Sequence, residues 1–201
     1  KKTLKPFYQP PANRLTVVDV PPMQFLMLDG QGDPNTAPAY REAVQALYTL
    51  AYTLKFTVKK QQLADYPVMA LEGLWWSGDT DALQFGPGRR DDWNWTMMIM
   101  QPDIITPEWV EAARAEALRK KPVPALEAVR LETFHEGRSV QIVHIGPYAA
   151  EAPTIARMHA FIAEQGGVPN GRHHEIYLSD PNRAAPEKLK TVLRQPFRPA
   201  G

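Results

Sequence analysis

The fold of this 201-residue chain is decided by residues 139–180, which read SVQIVHIGPYAAEAPTIARMHAFIAEQGGVPNGRHHEIYLSD. The apolar run over 139–148 ends at a Gly-Pro turn and predicts a strand. Apolar residues at helical spacing then predict a helix over 152–165, which two glycines end. The segments 173–180 and LKTVLRQPF (189–197) predict two more strands, so the order is strand, helix, strand, strand.

The first part of the chain repeats this order. Its four elements are, in sequence, a strand FLMLDGQGDP (25–34), a helix over 36–58, and the strands VMALEGLWW (68–76) and WNWTMMIM (93–100). Repetition of one element order predicts a duplicated βαββ module. We therefore expect a single domain over 1–201, with internal halves at about 15–125 and 126–197.

The predicted fold class is α+β, with antiparallel sheets, helices on one face and pseudo-two-fold symmetry between the modules. A strand that is covered on one side only should alternate apolar and polar residues. WNWTMMIM and VMALEGLWW are apolar on both faces, apart from one glutamate. A second cover is therefore expected for these strands, which predicts a ligand cleft between the halves, lined by aromatic and methionine side chains.

Composition excludes several classes of protein. The chain has no cysteine, which excludes disulfide scaffolds, thiolate zinc sites and cysteine nucleophiles. Its 23 basic and 22 acidic residues leave a net charge of +1, so direct nucleic-acid binding is not expected. No apolar run approaches the roughly 20 residues of a membrane span, and no metal-ligand motif or cofactor loop occurs. The sequence predicts a soluble, cytoplasmic protein without a metal or cofactor.

The strand HHEIYLSD places its side chains alternately on two faces. His173, Glu175 and Tyr177 share one face, and Ile176 and Leu178 share the other, which we expect to pack against a helix. Glu175 then either faces the aromatic cleft or lies on the surface as an ordinary acidic residue. A carboxylate in apolar surroundings has a raised pKa and is retained mainly where it binds a ligand or moves a proton.

Other candidates surround this strand in the predicted fold. Glu72 is either a second inward carboxylate, which would let acid and base roles divide, or a salt-bridge partner. Aromatic and methionine side chains suit flat or cationic ligands, although core packing is the alternative for each of them. The candidates for ligand contact are Trp95, Tyr148, Trp75, Met97 and His173.

Five segments taken together resemble the GyrI-like small-molecule-binding family, in particular its stand-alone members. They are LEGLWW (71–76), WTMMIMQPD (95–103), VQIVHIGPY (140–148), HHEIYLSDP (173–181) and EKLKTVLRQPF (187–197). The resemblance implies a duplicated βαββ fold with a ligand cleft. It also implies a glutamate on the fourth segment that points into the cleft, which is Glu175 here.

Some stand-alone members are similar to cyclopropyl hydrolases, which open the strained ring of flat DNA-alkylating natural products. The resemblance therefore implies a cofactor-free hydrolase in which Glu175 is the base and Tyr177 or Glu72 assists. Two alternatives remain open. The first is a non-catalytic protein that sequesters or senses flat aromatic or cationic molecules. The second is an interaction protein acting on a partner such as a topoisomerase, which no apolar stripe or acidic tail favours.

Overall fold

The structure is a computed structural model that describes residues 4–77 and 90–201. Its helices are α1 (Lys5–Tyr8), α2 (Pro38–Lys60), α3 (Pro107–Lys120) and α4 (Ala152–Glu164). Its strands are β1 (Thr16–Val20), β2 (Met23–Gln31), β3 (Leu71–Ser77), β4 (Trp93–Gln101), β5 (Arg130–Phe134), β6 (Gly137–Ile145), β7 (Gly167–Pro169), β8 (His173–Tyr177) and β9 (Lys190–Pro199).

The α+β class and the repeated element order are confirmed. The chain order β2–α2–β3–β4 is followed later by β6–α4–β8–β9, and every strand pair given below is antiparallel. The short elements α1 and β7 lie outside the predicted segments. Both are only three or four residues long, so neither has room for a hydrophobic period that a sequence pattern could reveal.

Contacts divide the chain into two compact units. The first unit contains residues 4–22, 72–77 and 135–201 of the described chain. Its strands run in the order β1–β6–β9–β8–β3, and β7 pairs with the end of β9. Helix α4 packs its apolar side onto strands β6 and β9, where the contacting residues form one buried cluster. The members of that cluster are Val140, Ile142, Ile155, Met158, Ile162, Leu193 and Phe197.

The second unit contains Met23–Leu71 and Arg90–Phe134, with β2 paired to β4 on one side and to β5 on the other. Helix α2 buries a regular stripe of alanine, leucine and valine side chains. Gly30 on β2 is required by close packing, because a Cβ atom there would lie 2.0 Å from the ring of Trp95. Tyr40 meets the same indole edge-on at 5.5 Å.

In the part of the chain that the structure describes, no helix is both long enough and apolar enough to cross a membrane.

Candidate functional site

Strand β8 carries the central candidate, and its register decides which way Glu175 points. Glu175 lies opposite Leu193 of β9 and Gly73 of β3. Side chains that are directly opposite in an antiparallel pair share a face, and Leu193 belongs to the cluster under α4. Glu175 therefore lies on the helix-covered face of the sheet.

The predicted packing of Ile176 and Leu178 against a helix stays a prediction, because α4 covers the face of Glu175. Ile176 is fully buried on the opposite face, and Leu178 is 37% exposed. Alternation correctly indicated which residues share a face, but it carries no information about which face receives the helix. Glu175 itself is 9% exposed, which excludes the alternative of an ordinary surface carboxylate.

Aromatic and polar groups of the first unit surround Glu175. The Tyr177 hydroxyl donates a hydrogen bond of 2.8 Å to Glu175 Oε2 and accepts one of 3.0 Å from Trp75 Nε1. His173 Nε2 lies 3.4 Å from Glu175 Oε1. The ring of Tyr148 meets that of Tyr177 edge-on, with 5.7 Å between centroids. Four of the residues singled out in the sequence thus lie together around the carboxylate of Glu175.

A second carboxyl group, that of Glu151, approaches Glu175 from another element. Glu151 immediately precedes α4, and its backbone carbonyl accepts bonds from the amides of Thr154 and Ile155, which fixes its position. The side chain is 4% exposed, and Glu175 and Thr191 are close enough to shift its pKa. Within the described residues, its Oε1 atom is buried and has no hydrogen-bond partner.

Burial and then the charge of Glu175 raise the pKa of Glu151 to about 9. The amino end of a helix favours a carboxylate by only about 0.3–1 kcal/mol, whereas each pKa unit corresponds to about 1.4 kcal/mol. The helix end is therefore too weak to keep Glu151 ionised at neutral pH. Burial and the neighbouring carboxyl groups likewise raise the pKa of Tyr148 to about 12. The site thus holds a neutral carboxyl group beside Glu175.

Glu72 lies on β3, opposite Ile176 of β8, and belongs to a buried ion network on the face of the sheet that is opposite Glu175. Tyr8 donates a bond of 2.6 Å to Glu72 Oε1, and His174 Nε2 lies 3.0 Å from Glu72 Oε2. The other ring nitrogen of His174 lies 2.9 Å from Glu136 Oε1, and Arg194 Nη1 donates to Glu136 Oε2 at 2.9 Å. Both oxygens of Glu72 are therefore occupied, so the structure shows it as a salt-bridge partner.

The pKa values follow from this pairing. Burial by itself would raise the pKa of Glu136, but the cations of His174 and Arg194 outweigh it and hold the pKa at about 2. Burial would lower the pKa of His174, yet Glu136 and Glu72 raise it to about 9. Arg194 also donates to Gln141 and to the carbonyl of Phe7, which secures the amino-terminal segment. We define these residues, Tyr8, Glu72, Glu136, His174 and Arg194, as the closed network.

The remaining predicted ligand contacts lie in the second unit. Trp95 and Met97 are on β4 and are fully buried. Their roles in ligand binding stay predictions.

In the first unit, Trp76 follows Trp75 on β3. The guanidinium of Arg172 lies over the Trp76 ring, 3.5 Å from its centroid.

Neither Glu151 nor the members of the closed network other than Glu72 stand out in the sequence. Glu151 stands in AAEAPT, just before a predicted helix, where acidic residues are common for reasons of the helix dipole alone. Glu136 stands in FHEG (134–137), between a histidine and a glycine, so nothing local distinguishes it from a surface residue. Only contacts between distant segments show the role of either carboxyl group.

Comparison with known proteins places these features in a family. Residues 15–198 match the model of the GyrI-like small molecule binding domain. No curated protein matches the chain significantly. An uncharacterized conserved protein from Listeria innocua is 43% identical, with a TM-score of 0.89 and 98% of each chain covered. A hydrolase from Listeria innocua is 42% identical, with a TM-score of 0.85 and the same coverage.

The fold is also shared with a protein of very low sequence identity. The EcmrR C-terminal domain has a TM-score of 0.55 over 93% of this chain and 98% of its own, at 8% identity, which shows a shared fold alone. The family match covers almost the whole sequence, including both βαββ modules and strand β8 with Glu175. The chain therefore belongs to the GyrI-like small-molecule-binding domain family.

Proposed function

We propose that this protein binds flat aromatic small molecules and hydrolyses strained electrophiles, opening the cyclopropane ring of DNA-alkylating natural products as a protective activity in the cytoplasm. The observation that carries the proposal is the buried carboxyl pair, Glu175 and Glu151, next to the hydroxyl of Tyr177. Two carboxyl groups of which one stays protonated at neutral pH can divide acid and base roles.

The aromatic side chains around Glu175 support the ligand class. Trp75, Tyr177 and Tyr148 are connected through a hydrogen bond and an edge-to-face contact, so they form one aromatic cluster beside the carboxylate. Aromatic faces bind flat ring systems and cations well. We include Trp95, Met97 and His173 as further ligand contacts, on the basis of the sequence prediction.

The proposed reaction is general-base hydrolysis. The Glu175 carboxylate accepts a proton from water while the water oxygen attacks a cyclopropane carbon. The ring C–C bond breaks, and its electron pair moves into the conjugated carbonyl of the ligand, whose oxygen takes up a proton. The product is one ring-opened molecule that carries both the new alcohol and an enol or phenol, so the net change is addition of one water molecule.

Tyr177 is the assisting residue in this proposal. Its hydroxyl touches Glu175 directly, and it can orient the carboxylate or donate to the developing oxyanion. The sequence also offered Glu72 for this part. Because both oxygens of Glu72 are held in the closed network, the geometry favours Tyr177.

The similar structures support a hydrolase. Two proteins described as hydrolases from Listeria innocua are 42% and 41% identical to this chain, with TM-scores of 0.85 and 0.87. The alternative is a non-catalytic binding or sensor protein for cationic aromatic drugs. The same buried carboxylate among aromatic rings favours it, since such a group also pairs with a ligand cation.

Turnover distinguishes the two functions. The protein is incubated with a cyclopropane-bearing DNA alkylator, and the ring-opened product is measured by mass spectrometry. We expect more than one equivalent of product per protein, a loss of about 100-fold or more in Glu175→Gln, and an unchanged rate in Glu164→Gln, which alters an exposed glutamate. Tight binding without product would contradict the hydrolase and leave the binding protein.

A further inference from the structure

We infer that the outer face of α2 is a docking surface for an acidic, amphipathic segment of a partner protein. The surface consists of an aromatic stripe, Tyr48, Tyr52 and Phe56, and of the basic residues that surround it on α2 and α3. It lies entirely in the second unit, so it goes beyond the proposed function, whose carboxyl groups belong to the first unit.

The aromatic stripe runs along the side of α2 that faces away from the core. Its members are spaced four residues apart, so they lie in one row on the helix surface. Tyr52 and Phe56 each stand two residues, or about 200°, from the buried Leu54. Tyr52 is 46% exposed and Phe56 is 58% exposed. Large apolar side chains gathered in this way on a surface are typical of protein interfaces, where tyrosine is among the residues that contribute most to affinity.

This row does not stand out in the sequence as an apolar stripe. The buried leucines and alanines of α2 interleave with it, so the helix is rich in apolar residues on more than one side. Only the exposure of each ring in the folded chain separates the stripe from the core.

Basic side chains surround the carboxyl-terminal part of the stripe on α2. The Lys55 ammonium group lies 5.7 Å from the centroid of the Phe56 ring. Lys59 follows Phe56 by three residues and pairs with the exposed Asp65 at 2.7 Å. A cation therefore lies close to the exposed end of the aromatic row.

Helix α3 packs against α2 and extends the positive charge. Lys120 pairs with Glu116 at 2.5 Å. The hydrogen bond from Lys120, and then the charges of Lys120, Arg119 and Lys60, lower the pKa of Glu116, so all three basic residues lie near it. Lys60 thus connects the basic residues of α2 with those of α3.

The carboxylates among these residues leave positive charge over. Asp65 and Glu116 are each engaged by a lysine. Four further basic residues form no ion pair within the part of the chain that the structure describes, namely Lys55, Lys60, Arg119 and Lys121. Like charges repel across an interface, whereas carboxylates are attracted. Charge complementarity therefore favours an acidic partner over a second copy of this chain.

The stacking of the rings favours a protein over a nucleic acid. The planes of Tyr48 and Tyr52 are inclined by 30° and those of Tyr52 and Phe56 by 23°, with 6.3 and 6.1 Å between centroids. Each ring thus turns a face towards its neighbour and leaves its edge for a partner. Bases bind by stacking on ring faces, whereas ring edges carry partial positive charge and suit carboxylate oxygens and aliphatic side chains.

The stripe leads into a groove at the amino-terminal part of α2. Gln45, which lies about one helical turn before Tyr48, lines the groove together with Pro122 and Pro124 from the segment after α3. The groove has a volume of about 310 Å³, and Glu42 adds an acidic residue to its lining. Apolar side chains of the partner segment fit the groove and the stripe, while its carboxylates meet the basic residues.

The test measures binding of labelled probes to the full chain by fluorescence anisotropy. The main probe is a fluorescein-labelled peptide in which glutamate alternates with leucine and phenylalanine, and its control carries glutamine in place of glutamate. We expect saturable binding of the acidic peptide that weakens as salt is added, and at least about tenfold weaker binding of the neutral peptide. Absence of binding, or equal binding of the two peptides, would overturn the inference.

Substitutions locate the binding to the surface. The double variant Tyr52→Ser with Phe56→Ser removes the two exposed rings, and we expect it to bind the acidic peptide at least about tenfold more weakly. Its control is Val17→Ser, which removes an exposed apolar side chain of the first unit and should change the affinity by about twofold or less.

The charge is tested separately. Lys55→Glu with Lys60→Glu should also weaken binding at least about tenfold, whereas Lys188→Glu, which reverses an exposed charge of the first unit, should change it by about twofold or less. The altered residues are not buried, so far-UV circular dichroism should show an intact fold in every variant. Unchanged affinity in both double variants, or an equal loss in the controls, would overturn the docking surface.

Three other occupants are distinguished with the same protein. Tighter binding of fluorescein-labelled oligothymidine or of phosphatidylglycerol vesicles than of the acidic peptide would overturn the partner class. A wild-type dimer in sedimentation experiments that Tyr52→Ser with Phe56→Ser dissociates would assign the surface to a second copy of the chain and overturn it as well.

Discussion

The two faces of strand β8 differ in how buried carboxyl groups are compensated by positive charge. On one face, His174 joins the closed network, where every carboxylate oxygen named above has a donor and a histidine and an arginine supply positive charge. On the other face, Glu175 lies next to Glu151, with a tyrosine hydroxyl and aromatic rings for neighbours. Residues that are adjacent in sequence thus belong to two different electrostatic environments.

The difference in charge compensation indicates which face stabilises the fold and which face can bind a ligand or transfer a proton. A buried carboxylate that is fully paired, such as Glu136, keeps its charge and has no capacity left for a ligand. A buried carboxyl pair that lacks a lysine or arginine retains a proton to exchange and an attraction for a cation. The closed network therefore stabilises the unit, whereas the carboxyl pair is poorly compensated and suited to binding or proton transfer.

Removing one partner from the closed network should have the largest effect. Glu136→Gln leaves His174 and Arg194 buried with reduced compensation, so we expect the free energy of unfolding to fall by about 3–5 kcal/mol. Urea denaturation measures it. The matched control is Glu132→Gln, which alters an exposed pair with Arg130 and should cost about 1 kcal/mol or less. Equal effects of the two variants would contradict the contrast between buried and exposed pairs.

The closed network should also make stability depend on pH. Because the folded pKa of His174 is raised from 6.5 to about 9, its contribution is complete below pH 6.5 and is lost as pH rises through 9. Because that of Glu136 is lowered from 4.5 to about 2, its contribution is complete above pH 4.5 and is lost as pH falls through 2.

We therefore expect the closed network to contribute most between pH 4.5 and 6.5, and this contribution to decline by up to about 3 kcal/mol on the alkaline side. Urea denaturation at a series of pH values checks this. It is best done in Glu151→Gln, which removes the titration of Glu151 near pH 9. A flat profile from pH 6.5 to 9 in that variant would contradict the charged state of His174.

On the other face, Tyr177→Phe removes the hydroxyl that connects Glu175 with Trp75. A hydrogen bond to a charged group contributes about 1.5–3 kcal/mol, so we expect turnover of the cyclopropane substrate to fall about 10- to 100-fold. The fold should persist, because the ring remains. Tyr52→Phe, which removes an exposed hydroxyl on α2, serves as the control. A rate that is unchanged in Tyr177→Phe would exclude an assisting role for Tyr177.

The smallest predicted effect has the opposite sign to that of Glu136→Gln. The raised pKa of Glu151 means that folding takes up a proton above pH 4.5, and stability falls as pH rises through about 9. A glutamine side chain does not have to bind a proton when the chain folds. Glu151→Gln should therefore raise the free energy of unfolding by about 1–3 kcal/mol at neutral pH. The gain should vanish near pH 4.5. A loss of stability at neutral pH would contradict the raised pKa.

Periodicity in the sequence determined much of the fold. Spacing of apolar residues placed α2, α4 and the strands of the two modules within a few residues, because a helix or strand with one buried face must repeat its apolar residues at that period. The same alternation put His173, Glu175 and Tyr177 on one face of β8. These features depend only on neighbours along the chain.

The tertiary structure decided what lies opposite each face. Glu72 meets Tyr8 across 64 residues and His174 across 102, and Glu151 reaches Glu175 from the start of a helix rather than from an adjacent strand. No local pattern encodes such meetings, because strand register and helix placement set them after distant segments have come together. For this reason the sequence left Glu175 either in a cleft or on the surface, while only the folded chain showed that it is buried and that a second carboxyl group lies near it.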